Sequence, residues 1–190
     1  MPSNNSTPVA STTTTTTTAT TSTTNSATPT PHPAFSICKP PNPPTNPGRS
    51  IFLAGSIEMG KAINWQMDIS TRLSPYAVTL LNPRRGNWDA SVVQDISDTE
   101  FRQQVEWELD CLDRCTAIVM FFDPAALAPI SLMELGLYAR SGRLVVCCPK
   151  GFWRRGNVQI VCKRFGVKLV ETLEELVDGV LEMIGEEPRV

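Results

Sequence analysis

The side chains best placed for chemistry are carboxylates. In Pro129-Ile130-Ser131-Leu132-Met133-Glu134-Leu135-Gly136, Glu134 sits just inside a helix expected from Leu132, after a buried strand expected from Ala117 to Phe122. Ligands of open parallel sheets bind beyond the carboxyl ends of the strands, so a carboxylate there faces the default site. A helix N-terminus carries unpaired N–H groups and partial positive charge, which favour the ionised form of Glu134. An ionised carboxylate attacks electrophilic carbon. The same residues also read as a capping box, Ser131-x-x-Glu134, whose side chains exchange hydrogen bonds with backbone N–H groups. Both readings stand on this segment alone.

Other chemistries lack their residues. The one histidine is His32, in a Thr-, Ser- and Pro-rich N-terminal stretch, which removes Ser-His-Asp and Cys-His schemes. Of the six cysteines, Cys111 and Cys115 lie one helical turn apart and Cys147 and Cys148 adjoin among valines, settings of small core residues. Without a C-x-x-C pair a zinc site is not expected. Neither G-x-G-x-x-G after the first strand nor G-x-x-x-x-G-K-S/T occurs, so no dinucleotide or P-loop cofactor is indicated. The expectation is carboxylate chemistry with no cofactor and no metal.

A second acidic candidate lies on the stretch from Asp98 to Arg114. At ~100° per residue, Phe101, Val105, Leu109 and Leu112 define the buried stripe, and Glu106, Asp110 and Asp113 fall opposite. Glu108 borders the apolar side, where it either snorkels, pairs with an arginine or does chemistry. Two loops add polar and aromatic groups: Asn82, Arg84, Arg85, Trp88 and Asp89 in one, and Phe152, Trp153, Arg154, Arg155 and Asn157 in the other. Arginines recognise phosphate or carboxylate through a planar fork. A net charge of −2 and a sequence pI near 5.5 argue against a nucleic-acid polymer, leaving a small anionic or sugar-bearing ligand.

These residues need a scaffold, and continuous apolar runs alternating with amphipathic stretches supply it. Ser50–Ala54, Ala77–Leu81, Ala117–Phe122, Leu144–Cys148 and Val167–Val170 read as strands covered on both faces. Helices are expected over Lys61–Leu73, Asp98–Arg114, Leu132–Ser141 and Val158–Phe165, with a last helix after Thr172, which forms a capping box with Glu175. The alternation predicts an α/β domain with a doubly wound, five-stranded parallel sheet. It spans residues 49–190. Residues 1–48 carry few large apolar side chains, too few to offset ordering entropy, and are expected to be a disordered tail. No secretory signal or membrane-length apolar run is visible, which places the chain in the cytosol, away from membranes.

Five segments, in this order and on these loops, resemble the nucleoside 2-deoxyribosyltransferase-like family: Ile51-Phe52-Leu53-Ala54-Gly55-Ser56-Ile57, Asn82-Pro83-Arg84-Arg85, Trp107-Glu108-Leu109-Asp110, Ser131-Leu132-Met133-Glu134-Leu135-Gly136 and Gly156-Asn157-Val158. The resemblance implies a flavodoxin-like sheet and chemistry at the N-glycosidic bond of a nucleoside or nucleotide. In deoxyribosyltransferases and the related deoxynucleotide N-hydrolases, the Glu of E-L-G takes the sugar, which matches Glu134. The acidic residue that orients substrate or handles the base proton matches Glu108, with Asp110 the alternative. Gly55 and Ser56 match the loop beside the sugar and any 5′-phosphate. The resemblance also implies a homo-oligomer, with the Trp153 loop a candidate contact. Two features depart from the family: Pro129 and Ile130 occupy the place of a phosphate-binding Ser, for which Arg84 or Arg85 would substitute, and the acidic residue before the glutamate has only Asp123 as a counterpart. A domain that binds a nucleotide or ADP-ribose-like ligand without catalysis is the alternative function.

Overall fold

Runs of consecutive apolar residues form strands whose side chains alternate between two cores. In the computed structural model, which describes residues 29–44, 48–57, 62–86 and 92–188, β2 (Ser50–Gly55), β4 (Ala117–Phe121) and β5 (Leu144–Cys147) are the central strands. Phe52, Ala54, Ile118, Met120 and Val146 point to one core, and Ile51, Leu53, Val119, Phe121 and Val145 to the other, the period-2 consequence of the pleat. With β1 (Ser36–Cys38), β3 (Thr79–Leu81) and β6 (Lys168–Val170), they make one six-stranded sheet in the order β1-β3-β2-β4-β5-β6. Every pairing is parallel.

Among the described residues, five helices cover the sheet. The first core receives α2 (Thr99–Arg114), α3 (Pro129–Tyr138) and α4 (Arg155–Phe165), and the second receives α1 (Trp65–Leu73) and α5 (Leu173–Ile184). The expected capping box at the last helix forms, with Thr172 and Glu175 each bonding the other's backbone N–H. This is an α/β architecture consistent with a flavodoxin-like fold. The chain steps outward in one direction from β2 to β3 and in the other from β4 to β6. The switch point is therefore at the carboxyl ends of β2 and β4, where such sheets bind ligands.

Two expectations require correction. The sheet has six strands rather than five, because Ser36–Cys38, inside the stretch expected to be disordered, pairs with Thr79–Leu81. A three-residue strand flanked by prolines has no compositional signature, yet an edge strand tolerates such flanks. The segment is tied further by the His32 N–H donating to Ser74 O (2.7 Å) and the Trp107 indole N–H donating to Asn42 O (2.8 Å). The second correction is the start of α3, which lies at Pro129 rather than Leu132. Proline suits the first helical position because it has no N–H to leave unpaired. Ala128 before it adopts φ 49°, ψ 49°, left-handed backbone that disfavours an L side chain.

Candidate functional site

The loops at the switch point are built with little tolerance. Gly55 ends β2 at φ 135°, and a Cβ there would lie 2.3 Å from Phe121 O and 2.7 Å from Phe121 N. Only glycine lets β2 and β4 approach this closely. Ser56 follows, fully buried; its N–H donates to Phe121 O (2.9 Å), its Oγ accepts from the Asp123 N–H (3.0 Å), and its carbonyl accepts from the Trp65 indole (3.0 Å). Asp123 accepts from the N–H groups of Ile63 (3.2 Å) and Ala125 (2.9 Å). Gly55, Ser56 and Asp123 thus hold the two loops together.

The inward face of α2 differs from the expected stripe. Trp107, Cys111 and Leu112 are buried, whereas Leu109 is exposed. The inward positions are therefore 104, 107, 108 and 111, the i, i+3, i+4, i+7 set of one helix face, and Glu108 lies on that face rather than at its border. Gln104, one turn earlier, organises the surroundings. Its amide N–H₂ donates to Glu108 Oε1 and to Pro83 O (3.2 Å), and its Oε1 accepts from Arg85 Nε (2.5 Å). Arg85 is also paired with Glu100. Burial pushes the Glu108 carboxyl above its usual range, opposed by the Gln104 hydrogen bond and the Arg85 charge. Sequence reasoning missed Gln104; its signal was its place one turn from Glu108, where i,i+4 side chains meet.

Glu134 faces this cluster from α3. Because α3 begins at Pro129, Glu134 belongs to its second turn and no side chain caps the helix. The Ser131–Glu134 capping box therefore does not form, and the expected stabilisation of the ionised form by the helix N-terminus is reversed. Glu134 keeps only 6% of its surface, and burial, reinforced by the negative charge of Glu108, pushes its carboxyl up to about 8. Two carboxylates sharing a dry site do not both ionise readily. Glu108, with an amide donor and a guanidinium nearby, loses its proton first, so the pair retains one proton near neutrality.

The remaining expected site residues divide. Asn82 is buried, its Oδ1 accepting from the Arg84 N–H (2.9 Å) in an Asx turn that shapes the loop after β3. The Arg84 guanidinium donates to Ala62 O (3.1 Å), Ile63 O (3.2 Å) and Gln66 Oε1 (3.3 Å), tying this loop to the start of α1. Asp110 is exposed and pairs with Arg114, which removes it as the alternative to Glu108; a two-residue shift on a helix turns a side chain by ~200°. Asn157 lies elsewhere, with Arg154, Leu135 and Gly136 along a cavity of about 330 Å³ between α3 and α4. Trp153 donates to Leu127 O (3.0 Å) and stacks on Arg154. Trp88 and Asp89 lie outside the described residues.

Burial disfavours the thiolate form of the cysteines. All six are free, and burial pushes Cys111 and Cys147 up to about 12 and Cys148 and Cys162 up to about 11, leaving them thiols at neutral pH.

Comparison with curated proteins gives no match to the chain. A family model described as nucleoside 2-deoxyribosyltransferase like matches residues 48–152, a span that holds the β2 and β3 loops, Glu108 on α2 and Glu134 on α3. More than half of the sequence is matched, and the match contains both facing carboxylates: the chain belongs to the nucleoside 2-deoxyribosyltransferase-like family.

Proposed function

We propose that the protein acts on the N-glycosidic bond of a (deoxy)nucleoside or nucleotide, with Glu134 as nucleophile and Glu108 as its proton-handling partner. The observation that carries this reading is the buried pair itself. Two carboxylates buried side by side destabilise the fold, and such an arrangement is kept where its chemistry is used. In the first half-reaction Glu134 passes its proton to Glu108, the freed carboxylate bonds to the anomeric carbon as the bond to the base nitrogen breaks, and Glu108 delivers that proton to the base. In the second half-reaction water or another base attacks that carbon, frees Glu134 and returns a proton to the pair. Negative charge beside the anomeric carbon also stabilises the oxocarbenium-like transition state.

The test is liberation or exchange of base when the full chain is incubated with a panel of deoxyribonucleosides and deoxynucleotides, with and without free base. Glu134→Gln should abolish the signal, because an amide can neither attack nor titrate; activity surviving in that variant removes the covalent scheme. The one-proton state also sets the pH profile. Plots of kcat/KM against pH should be bell-shaped, with the alkaline limb near 8, where the pair loses its last proton. A profile that climbs monotonically beyond that point contradicts the shared proton.

We further propose a cytosolic homo-oligomer. Six free thiols suit a reducing compartment, and among the described residues no helix is long and apolar enough to cross a membrane. On α3, Leu135 and Tyr138 face the core while Ile130, Met133 and Leu137 are exposed on the other side. A helix that is apolar all round is ordinarily covered all round, and a second copy would cover it on the back of the element that bears Glu134. Replacing Met133 and Leu137 together by Glu should shift sedimentation towards monomer; an unchanged sedimentation coefficient assigns any contact elsewhere.

A further inference from the structure

Gln104 sits one helical turn before Glu108, and its neighbours leave its amide one orientation. Pro83 O can only accept a hydrogen bond, and the Arg85 guanidinium can only donate one. The first takes a hydrogen bond from Nε2 (3.2 Å) and the second gives one to Oε1 (2.5 Å), so a flipped amide would oppose both. Both partners are themselves fixed, Arg85 by its pairing with Glu100 and Pro83 by burial at the end of β3. The second N–H of Nε2 is spent on Glu108 Oε1, an i,i+4 contact along α2. Glu108 therefore meets a donor at Oε1 whatever the pH.

We propose, resting on the N-glycosidic reading above, that Gln104 is a positioning residue for that reaction: it keeps Glu108 as the proton acceptor of the pair and confines the transferred proton to Glu108 Oε2. A proton on Oε1 would set donor against donor, whereas an ionised oxygen there gains a charge-assisted hydrogen bond. Oε2 is the oxygen left to take the proton of Glu134. The O–H bond of Glu134 breaks as one forms at Glu108 Oε2, and that bond breaks in turn as an N–H forms on the departing base. Glu108 ends the step ionised, as it began, and Glu134 ends it bonded to the anomeric carbon. The charged groups acting on Glu108 are Arg85, from the loop after β3, and Glu134, from α3. They pull in opposite directions, and Arg85 also serves Glu100. Among the described residues, the hydrogen bond to the Glu108 carboxyl comes from Gln104.

Carboxyl NMR titration of the full chain, isotope-labelled at glutamate and carrying Glu134→Gln, follows Glu108 without its coupled partner; the signal is identified by its loss on Glu108→Gln. Gln104→Met occupies the same inward position without a donor, and Gln104→Leu stands in if the methionine chain does not fold. Either should raise the Glu108 titration midpoint by about one pH unit, as for loss of a hydrogen bond to a charged group. In chains that keep both carboxylates, the acid limb of kcat/KM should rise with it. The alkaline limb should stay in place, because Glu108 is ionised on both sides of that second step and the bond is lost from both alike. An unmoved Glu108 midpoint overturns the proposal, and so does a midpoint that moves while kcat/KM falls evenly at every pH. Base release by the unmutated chain is scored separately. Base release with an unmoved midpoint removes the role of Gln104 alone, whereas a moved midpoint with no base release sinks the N-glycosidic reading and leaves the hold of Gln104 on Glu108 standing.

Discussion

Replacing Glu134 by Gln should make the protein markedly more stable, and more so as the pH rises. The carboxyl is nearly sealed from water and sits beside Glu108, which raises it from 4.5 to about 8. At roughly 1.4 kcal/mol per pH unit, ionised Glu134 destabilises the folded state by on the order of 5 kcal/mol relative to the unfolded chain. The sign follows from proton binding. Below about pH 4.5 both states hold the proton and Glu134 contributes no pH dependence. Between 4.5 and about 8 only the folded state holds it, so stability falls as pH rises. Above that window both states are ionised and the loss is complete. Gln fills the same space and does not titrate. Urea unfolding of the two proteins across the window should therefore give nearly equal stabilities at its acid end. The variant should lead by about 3 kcal/mol at neutrality and on the order of 5 kcal/mol at the alkaline end. A difference that stays constant with pH, or shrinks, would refute the assignment of Glu134 to a desolvated, charge-opposed site. A stabilised but inactive variant is the signature of a residue kept for function against the fold.

Three further outcomes follow from the geometry. Gly55→Ala forces a Cβ to 2.3 Å from Phe121 O and should cost more than about 4 kcal/mol, read as loss of soluble, cooperatively unfolding protein; a well-behaved variant would show that β2 and β4 separate easily. Removing residues through Asn46 deletes β1 and uncovers the β3 edge and Trp107, so the thermal midpoint should fall by about 4–8 °C, equivalent to roughly 2 kcal/mol, whereas an unchanged midpoint would make β1 dispensable. Arg84→Ala breaks hydrogen bonds to Ala62, Ile63 and Gln66 and should lower stability by about 1–3 kcal/mol while impairing deoxynucleotide and deoxynucleoside turnover alike; a KM increase confined to the deoxynucleotide would return Arg84 to phosphate recognition.

What was legible in the amino-acid sequence was whatever local composition controls. Strands buried on both faces must be apolar at consecutive positions, so β2, β4 and β5 stand out, and the Thr172–Glu175 box marks the start of α5. What escaped depends on partners distant in sequence. Ser36–Cys38 is a strand only because the edge of β3 offers it a ladder, and no count of apolar residues among prolines reveals that. The start of α3 was hidden by a left-handed Ala128 followed by Pro129, a turn that favours neither residue's usual reading.

The orientation of α2 was misread for a more instructive reason. Counting apolar residues turns Phe101, Val105, Leu109 and Leu112 inward, and Leu112 is buried, yet the face that meets the sheet also carries Gln104 and Glu108 beside Trp107 and Cys111. A hydrophobic stripe predicts the buried face when burial is the only demand on a helix. Here two polar side chains occupy inward positions, and each has its electrostatic partner there: Gln104 bonds Arg85, Pro83 and Glu108, and Glu108 opposes Glu134. The pattern fails where a carboxylate is held out of water against its own preference, and such failures concentrate where chemistry is done. Glu108 and Glu134 are both in that position, from different helices and facing one another. That coincidence, more than either residue's motif, points to the pair as the working centre of the molecule.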